Sequence, residues 1–211
     1  TDGRKGYNWA FYTGCLHSQT GLCGGGGRDF YCWAKRLADR FNKGDFTPTL
    51  HPEHLLDPLR LKKPAKIAVC FTGDLFGDWV DPEQVVKVYW PKYLVTRYLL
   101  NVEKERIIKT TLREAVFNPM YLCPQHTFIF LTKAPWNLYK WGKFPDNAWV
   151  GVSVTKFAQL LTAFEFLPRT EARIKFISFE PLLESMERLP ESLRWLFADY
   201  ALKGVIIGAA T

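Results

Sequence analysis

The chain has 211 residues, 47% of them hydrophobic, with 8 Trp, 9 Tyr and 16 Phe; that is enough to bury one sizeable core, which excludes a mini-domain dependent on disulfides. The formal net charge is +7 and the pI near 9.1, a balance that suits an anionic partner such as nucleic acid and equally suits a plain solvated basic surface. Five cysteines is an odd number, no apolar leader stands ahead of them, and no run reaches the roughly 20 apolar residues of a membrane span, so the composition predicts a soluble, cytoplasmic protein with its thiols free or metal-bound.

The first predicted strand is "YNWAFYTG" (7–14). A loop follows from Cys15 to Cys32 that holds three cysteines, Cys15, Cys23 and Cys32, around the four glycines 24–27. Residues 32–43 read as a helix, with Trp33, Ala34, Leu37, Ala38 and Phe41 on one face and Lys35, Arg36, Asp39 and Arg40 on the other. "KIAVCFTGD" (66–74) is the next apolar strand. The long stretch 81–125 predicts two helices broken at Pro91, and about residues 88–110 read as an inserted helical segment in which Tyr89, Trp90, Lys92, Tyr93, Arg97, Tyr98, Lys104 and Arg106 interleave aromatic and basic side chains. Such a pattern fits a stacking-and-phosphate surface, or an amphipathic helix pair with a basic outer face. Strands are then predicted at "HTFIFLTK" (126–133), "AWVGVSVT" (148–155), "RIKFISFEPL" (173–182) and "KGVIIGAA" (203–210), with a helix over 156–167 whose Phe157, Leu160, Leu161, Phe164 and Leu167 keep helical spacing. The sequence ends at Thr211, just after the last strand and short of the closing helix that a sixth βα unit carries.

Nearly continuous apolar strands are buried on both faces, as parallel strands are, and strands alternating with helices imply βα units. Six such strands in one domain spanning 1–211 predict an α/β fold, a partial (βα)6 barrel of parallel strands, with a doubly wound sheet as the other arrangement. In either, functional groups gather at the carboxyl ends of the strands. Those ends carry Thr72, Gly73 and Asp74; Thr132 and Lys133; Ser153 and Thr155; Ser178 and Glu180; and Thr211. The cysteine loop follows the first strand and opens on the same face.

Three chemistries fit the thiols. A Cys3His zinc site would take His17 as its fourth donor; the cysteines could instead be plain buried side chains; or a [4Fe–4S] cluster could sit on the loop, whose glycines let the backbone bend round it. Three cysteines leave one iron of such a cluster open for reaction. Cys70 and Cys123, in or beside strands, read as inert core thiols, and His51 and His54, separated by Pro52, read as a helix-entry turn rather than a metal pair. Lys133 faces the site as a solvated lysine or as a cation for an anionic ligand, and Glu180 before Pro181 places a carboxylate where it needs a partner.

The segments "YTGC", "CWAKRLADRF", "FTPTLHPEHL", "TGDLFGDWV", "PQHTFIFLTK", "WVGVSVT", "FISFEPLL" and "VIIGAAT" resemble, in that order, a phage- and prophage-associated branch of the radical S-adenosylmethionine (SAM) superfamily. The superfamily's usual C-x3-C-x2-C motif is widened here to C-x7-C-x8-C, but Phe30 keeps an aromatic residue two before the last cysteine. The resemblance implies a [4Fe–4S] cluster on Cys15, Cys23 and Cys32, with SAM on the open iron. It aligns Thr72, Gly73 and Asp74 with the motif that holds the methionine ammonium, and Gly204, Ile206 and Gly208 with the backbone beside the adenine, while Thr211 replaces a glutamate there. Ser153 and Glu180 become candidate SAM contacts. It further implies an electron donor such as flavodoxin or ferredoxin and, through distant likeness to a DNA-repair lyase, a nucleic-acid substrate. The competing reading is a non-catalytic nucleic-acid-binding module of the same fold, with a structural zinc or no metal on the loop.

Overall fold

The computed structural model describes residues 3–17, 19–23, 32–41, 43–99, 104–181, 183 and 202–207. Six strands form one parallel sheet in chain order: β1 (Lys5–Trp9), β4 (Ala65–Val69), β7 (Thr127–Thr132), β8 (Ala148–Ser153), β9 (Ile174–Phe179) and β10 (Leu202–Ile207). Two short antiparallel pairs accompany it, β2 (Tyr12–Thr13) with β3 (Thr49–Leu50), and β5 (Val85–Trp90) with β6 (Arg106–Thr111). The helices are α1 (Trp33–Phe41), α2 (Lys92–Tyr98), α3 (Leu112–Leu122) and α4 (Phe157–Phe166).

Each sheet strand pairs with the next one along the chain, and the order never reverses. A doubly wound sheet requires such a reversal, so that expectation is corrected to a singly wound parallel sheet. The apolar runs follow from burial on both faces: β7, β8 and β9 are buried along most of their length. One continuous core joins Trp9, Ile67, Phe128, Val150 and Ile177 of the sheet to Val116 and Met120 of α3 and Leu160 and Ala163 of α4. At its centre the Phe76 ring meets Phe130, Trp141 and Phe144 at 5.4–6.1 Å between centroids.

Two predicted elements differ in detail. The first strand divides at Phe11, because the chain leaves β4 after Trp9 and pairs Tyr12 and Thr13 with β3 instead. The region around Pro91 is not a helix pair but strand, helix, strand: Pro91 ends β5 and stands at the N-cap of α2, and β6 returns alongside β5. The alternation of Val86, Val88 and Trp90 inward with Val85, Lys87 and Tyr89 outward is the period-2 signature of a half-buried strand. Because Val86, Val88, Trp90, Leu94 and Val95 belong to the common core, the expected insertion is an integral part of the packing. Capping is conventional at α3, where Thr111 accepts from the Glu114 amide at 3.2 Å and Glu114 accepts from the Thr111 amide at 3.3 Å. On α1 only Ala34 and Ala38 are buried, while Trp33, Leu37 and Phe41 are exposed. Among the described residues no helix is long and apolar enough to cross a membrane.

Candidate functional site

The carboxyl ends of the parallel strands surround a cavity of about 420 Å³, a size ordinary for a small-molecule site. Cys15, Cys23 and Cys32 all line it, together with His17, Gly73, Asp74, Thr132, Lys133, Ser153 and Glu180. A more open groove of about 680 Å³ lies at the opposite, amino ends of the strands, where Arg4, Lys143, Asp146 and Arg173 line it without a thiol. The three loop thiols therefore converge at one end of the sheet.

Local structure explains how the thiols arrive there. Gly14 bridges to Gly73 in parallel, with its amide donating to the Thr72 carbonyl at 3.1 Å. A Cβ on Gly73 would lie 2.7 Å from the Gly14 carbonyl oxygen, and one on Gly14, which has φ +81°, would lie 2.3 Å from the Thr47 oxygen. Only glycines permit so close a crossing, and it fixes Cys15 beside the strand end that bears Asp74. Cys23 is tied back through its amide to the His17 carbonyl at 3.4 Å. Cys32 stands at the entrance of α1, its carbonyl accepting from the Arg36 amide at 2.9 Å, so the helix N-terminus lends partial positive charge to any thiolate there. From the other side Gln159 of α4 donates to the Leu22 carbonyl at 2.7 Å.

Asp74 is the hub of the site. It is 4% exposed, and its oxygens accept from the Phe76 amide at 2.9 Å, the Lys133 amide at 2.9 Å, the Thr132 hydroxyl at 2.8 Å and the His17 ring at 2.7 Å. A carboxylate offers about four lone-pair sites. All are taken within the protein, so Asp74 as it stands has no free site for an ammonium group. The His17 ring, itself 2% exposed, lies 4.9 Å from Trp79 between centroids, and its amide donates to the Cys15 sulfur at 3.5 Å. His17 thus links the carboxylate hub to the thiol loop, a pairing invisible in sequence because the two residues stand 57 positions apart.

Lys133 is half-buried and donates from Nζ to Ser153 Oγ, which donates in turn to the Glu180 carbonyl at 3.2 Å. Burial pulls the Lys133 ammonium below its ordinary range, while attraction to Cys23, Asp74, Cys32 and Cys15 opposes the shift. The Cys15 thiol is pushed up to about 12, first by burial and further by repulsion from Asp74, Cys23 and Cys32, against the lowering bond from the His17 amide. Without a cation Cys15 is a neutral thiol, and ligation must displace its proton.

Thr72 lies at the Gly14–Gly73 crossing, and among the described residues its buried hydroxyl has no hydrogen-bond partner. Glu180 is exposed and borders the cavity, so its carboxylate carries no burial cost. Gly204 and Ile206 lie on β10, in register with Phe176 and Ser178 of β9. Phe30, Gly208, Thr211 and the glycines 24–27 lie outside the described residues. Cys70 and Cys123 are core thiols, buried as expected. His51 and His54 pair separately, with Thr13 at 2.8 Å and Asp57 at 2.9 Å. Among the described residues no group of three or more His, Cys, Asp or Glu side chains is gathered closely enough to grip one metal ion.

A family model described as "Protein of unknown function (DUF5131)" matches residues 100–209, just over half of the chain. The chain belongs to the DUF5131 family. The matched portion begins just ahead of β6 and runs beyond β10, so it carries Thr132, Lys133, Ser153 and Glu180, while the cysteine loop and Asp74 precede it. No curated protein and no solved structure matches the chain.

Proposed function

We propose that this DUF5131 protein is a radical SAM enzyme with a partial (βα)6 barrel, whose Cys15, Cys23 and Cys32 hold a [4Fe–4S] cluster. The observation that carries the reading is the convergence of these three half-buried thiols on one cavity at the carboxyl ends of a singly wound parallel sheet. The donor set suits the group. A cube of four irons takes its thiolates at separate corners, so it does not need them drawn around a single point as one zinc ion does. When bound and reduced by an external electron donor, such a cluster would supply the single electron needed for reductive cleavage of SAM.

The chain's own residues do the rest. Lys133 brings positive charge to the wall of the cavity beside the thiols and suits an anionic carboxylate at its mouth. Asp74, with its lone pairs taken, acts as the frame that holds His17, Thr132 and Lys133 in place rather than as a direct contact to the methionine ammonium. That contact falls to Glu180, which is exposed at the cavity edge. The apolar wall given by Phe46, Phe71 and Leu131 excludes water from one side.

Anaerobic reconstitution with iron and sulfide, followed by reduction and assay for 5′-deoxyadenosine in the presence of SAM, tests the proposal. About four iron and four sulfide per chain with SAM cleavage is the expected result. Replacing any one of Cys15, Cys23 and Cys32 by alanine should remove the visible absorbance of the cluster, whereas Cys70→Ala and Cys123→Ala should keep it. One zinc per chain and no iron would favour the binding module instead, and a reduced cluster that never cleaves SAM would overturn the enzyme reading.

A further inference from the structure

The sheet formed by β5 and β6 turns one face to the core and the other to solvent. On the outer face the register sets Lys87 directly opposite Lys109 and Tyr89 opposite Ile107. Tyr89 is 52% exposed and Ile107 67%, and Tyr93 of the adjoining α2 is 57% exposed. Like charges directly opposite one another weaken a strand pair, and bare rings beside them leave apolar area in water. Both costs fall together if an anion spans the two ammonium groups and flat groups cover the rings. The local charge agrees: between Val85 and Thr111 stand six Lys and Arg against two Glu. An open hollow of about 690 Å³ continues this face between Tyr89, Tyr93, Lys92 and Arg97. The carboxylate bordering it, Glu105, accepts from the Tyr89 hydroxyl at 3.0 Å and so holds that ring at the rim.

We propose that this face binds single-stranded nucleic acid, with phosphates at Lys87 and Lys109 and bases stacked on Tyr89 and Tyr93. Alternating anions and planar rings are what a nucleic-acid strand offers, and the rings can be covered only by bases that are not paired. An acidic peptide or an anionic lipid surface would satisfy the lysines but supply no stacking partner. The inference names a substrate class for the cysteine site and rests on that reading only in calling the strand a substrate; the binding itself is measured on iron-free protein, so its failure leaves the iron and SAM assays unaffected.

The experiment is fluorescence anisotropy of the full chain with a labelled 15-nucleotide single strand, a duplex of the same sequence and inorganic polyphosphate, over a range of salt. The single strand should bind more tightly than the duplex or polyphosphate. Tyr89→Leu and Tyr93→Leu should each weaken it about 5- to 100-fold, while Tyr93→Phe, which keeps the ring, should not. Lys109→Glu turns a repulsive cross-strand pair into an attractive one, so its melting temperature should hold or rise while affinity falls. The slope of log affinity against log salt should also become shallower by about 0.7 for each phosphate that the variant no longer neutralises. Equal binding of duplex and single strand, or leucine variants that bind as the unmodified chain does, would overturn the proposal.

Discussion

Asp74 is a buried carboxylate whose two oxygens receive four donors from three separate segments of the chain. Its sequence context, a strand-end "TGD", suggests a ligand contact, and nothing local reveals that His17, Thr132 and Lys133 converge on it. Hydrogen bonds to charged groups contribute roughly 1.5–3 kcal/mol each, and a donor left buried without an acceptor costs about as much. Asp74→Asn keeps the shape but turns an NH2 toward donors, so it should lower stability by roughly 2–3 kcal/mol, read as a shift in urea midpoint, before any effect on ligand binding. An unchanged midpoint would mean that these bonds are dispensable. A second buried polar residue contributes to acid stability. His126 accepts the Ala65 amide on Nδ1 at 3.2 Å and faces the Leu61 carbonyl from Nε2 at 3.2 Å, and burial lowers its pKa below the ordinary value of 6.5. The unfolded chain therefore takes up a proton first as pH falls below about 6.5. Stability present above that pH should be lost progressively toward the lower folded-state value, and His126→Gln should flatten the melting-temperature profile across that window; an equally steep profile in the variant would assign the acid loss elsewhere.

At the scale of elements, the apolar strands β4, β7, β8 and β9 are legible in sequence because burial on both faces leaves little room for polar residues. Their ends are less so. β4 stops at Val69 because Cys70 adopts φ +55°, a left-handed conformation that no sequence rule expects of cysteine. The β5 strand passes for helix in sequence since "VVKVYW" runs straight into Pro91 and "KYLVTRY", and six residues with a helix behind them fit either period. The glycine crossing is equally hidden, because Gly14 and Gly73 come together only once β1 and β4 pair in register. That crossing positions the thiol loop without supplying a ligand. On the proposed cluster reading, Gly73→Ala should leave all three cysteines in the chain yet reduce iron incorporation severalfold relative to the unmodified protein, since a Cβ 2.7 Å from backbone must push Cys15 away from the cavity. Full iron loading in that variant would show that the loop is placed by other contacts.

Across the whole molecule, the segment between β4 and α3 decides whether the protein is a parallel sheet with an accessory arm or one cooperative body. The arm is closed at its base, where the Leu112 amide donates to the Gln84 carbonyl and the Arg113 amide to the Pro82 carbonyl, both at 2.9 Å. Its inner face, however, sends Trp90 and Leu94 into the same core as Phe128 and Val150 of the sheet. Truncating a buried aromatic to alanine costs about 3–5 kcal/mol, and in a chain of this size each kcal/mol moves the melting temperature by about 2–4 °C. Trp90→Ala should therefore lower the melting temperature of the entire chain by about 6–20 °C, in one transition followed both by circular dichroism and by fluorescence from Trp141 and Trp149, with the other tryptophans replaced. Two separated transitions, or an unchanged melt at Trp141 and Trp149 with structure lost only near Trp90, would show instead that the arm folds as an independent attachment and that its basic outer face is carried by the sheet without being part of its core.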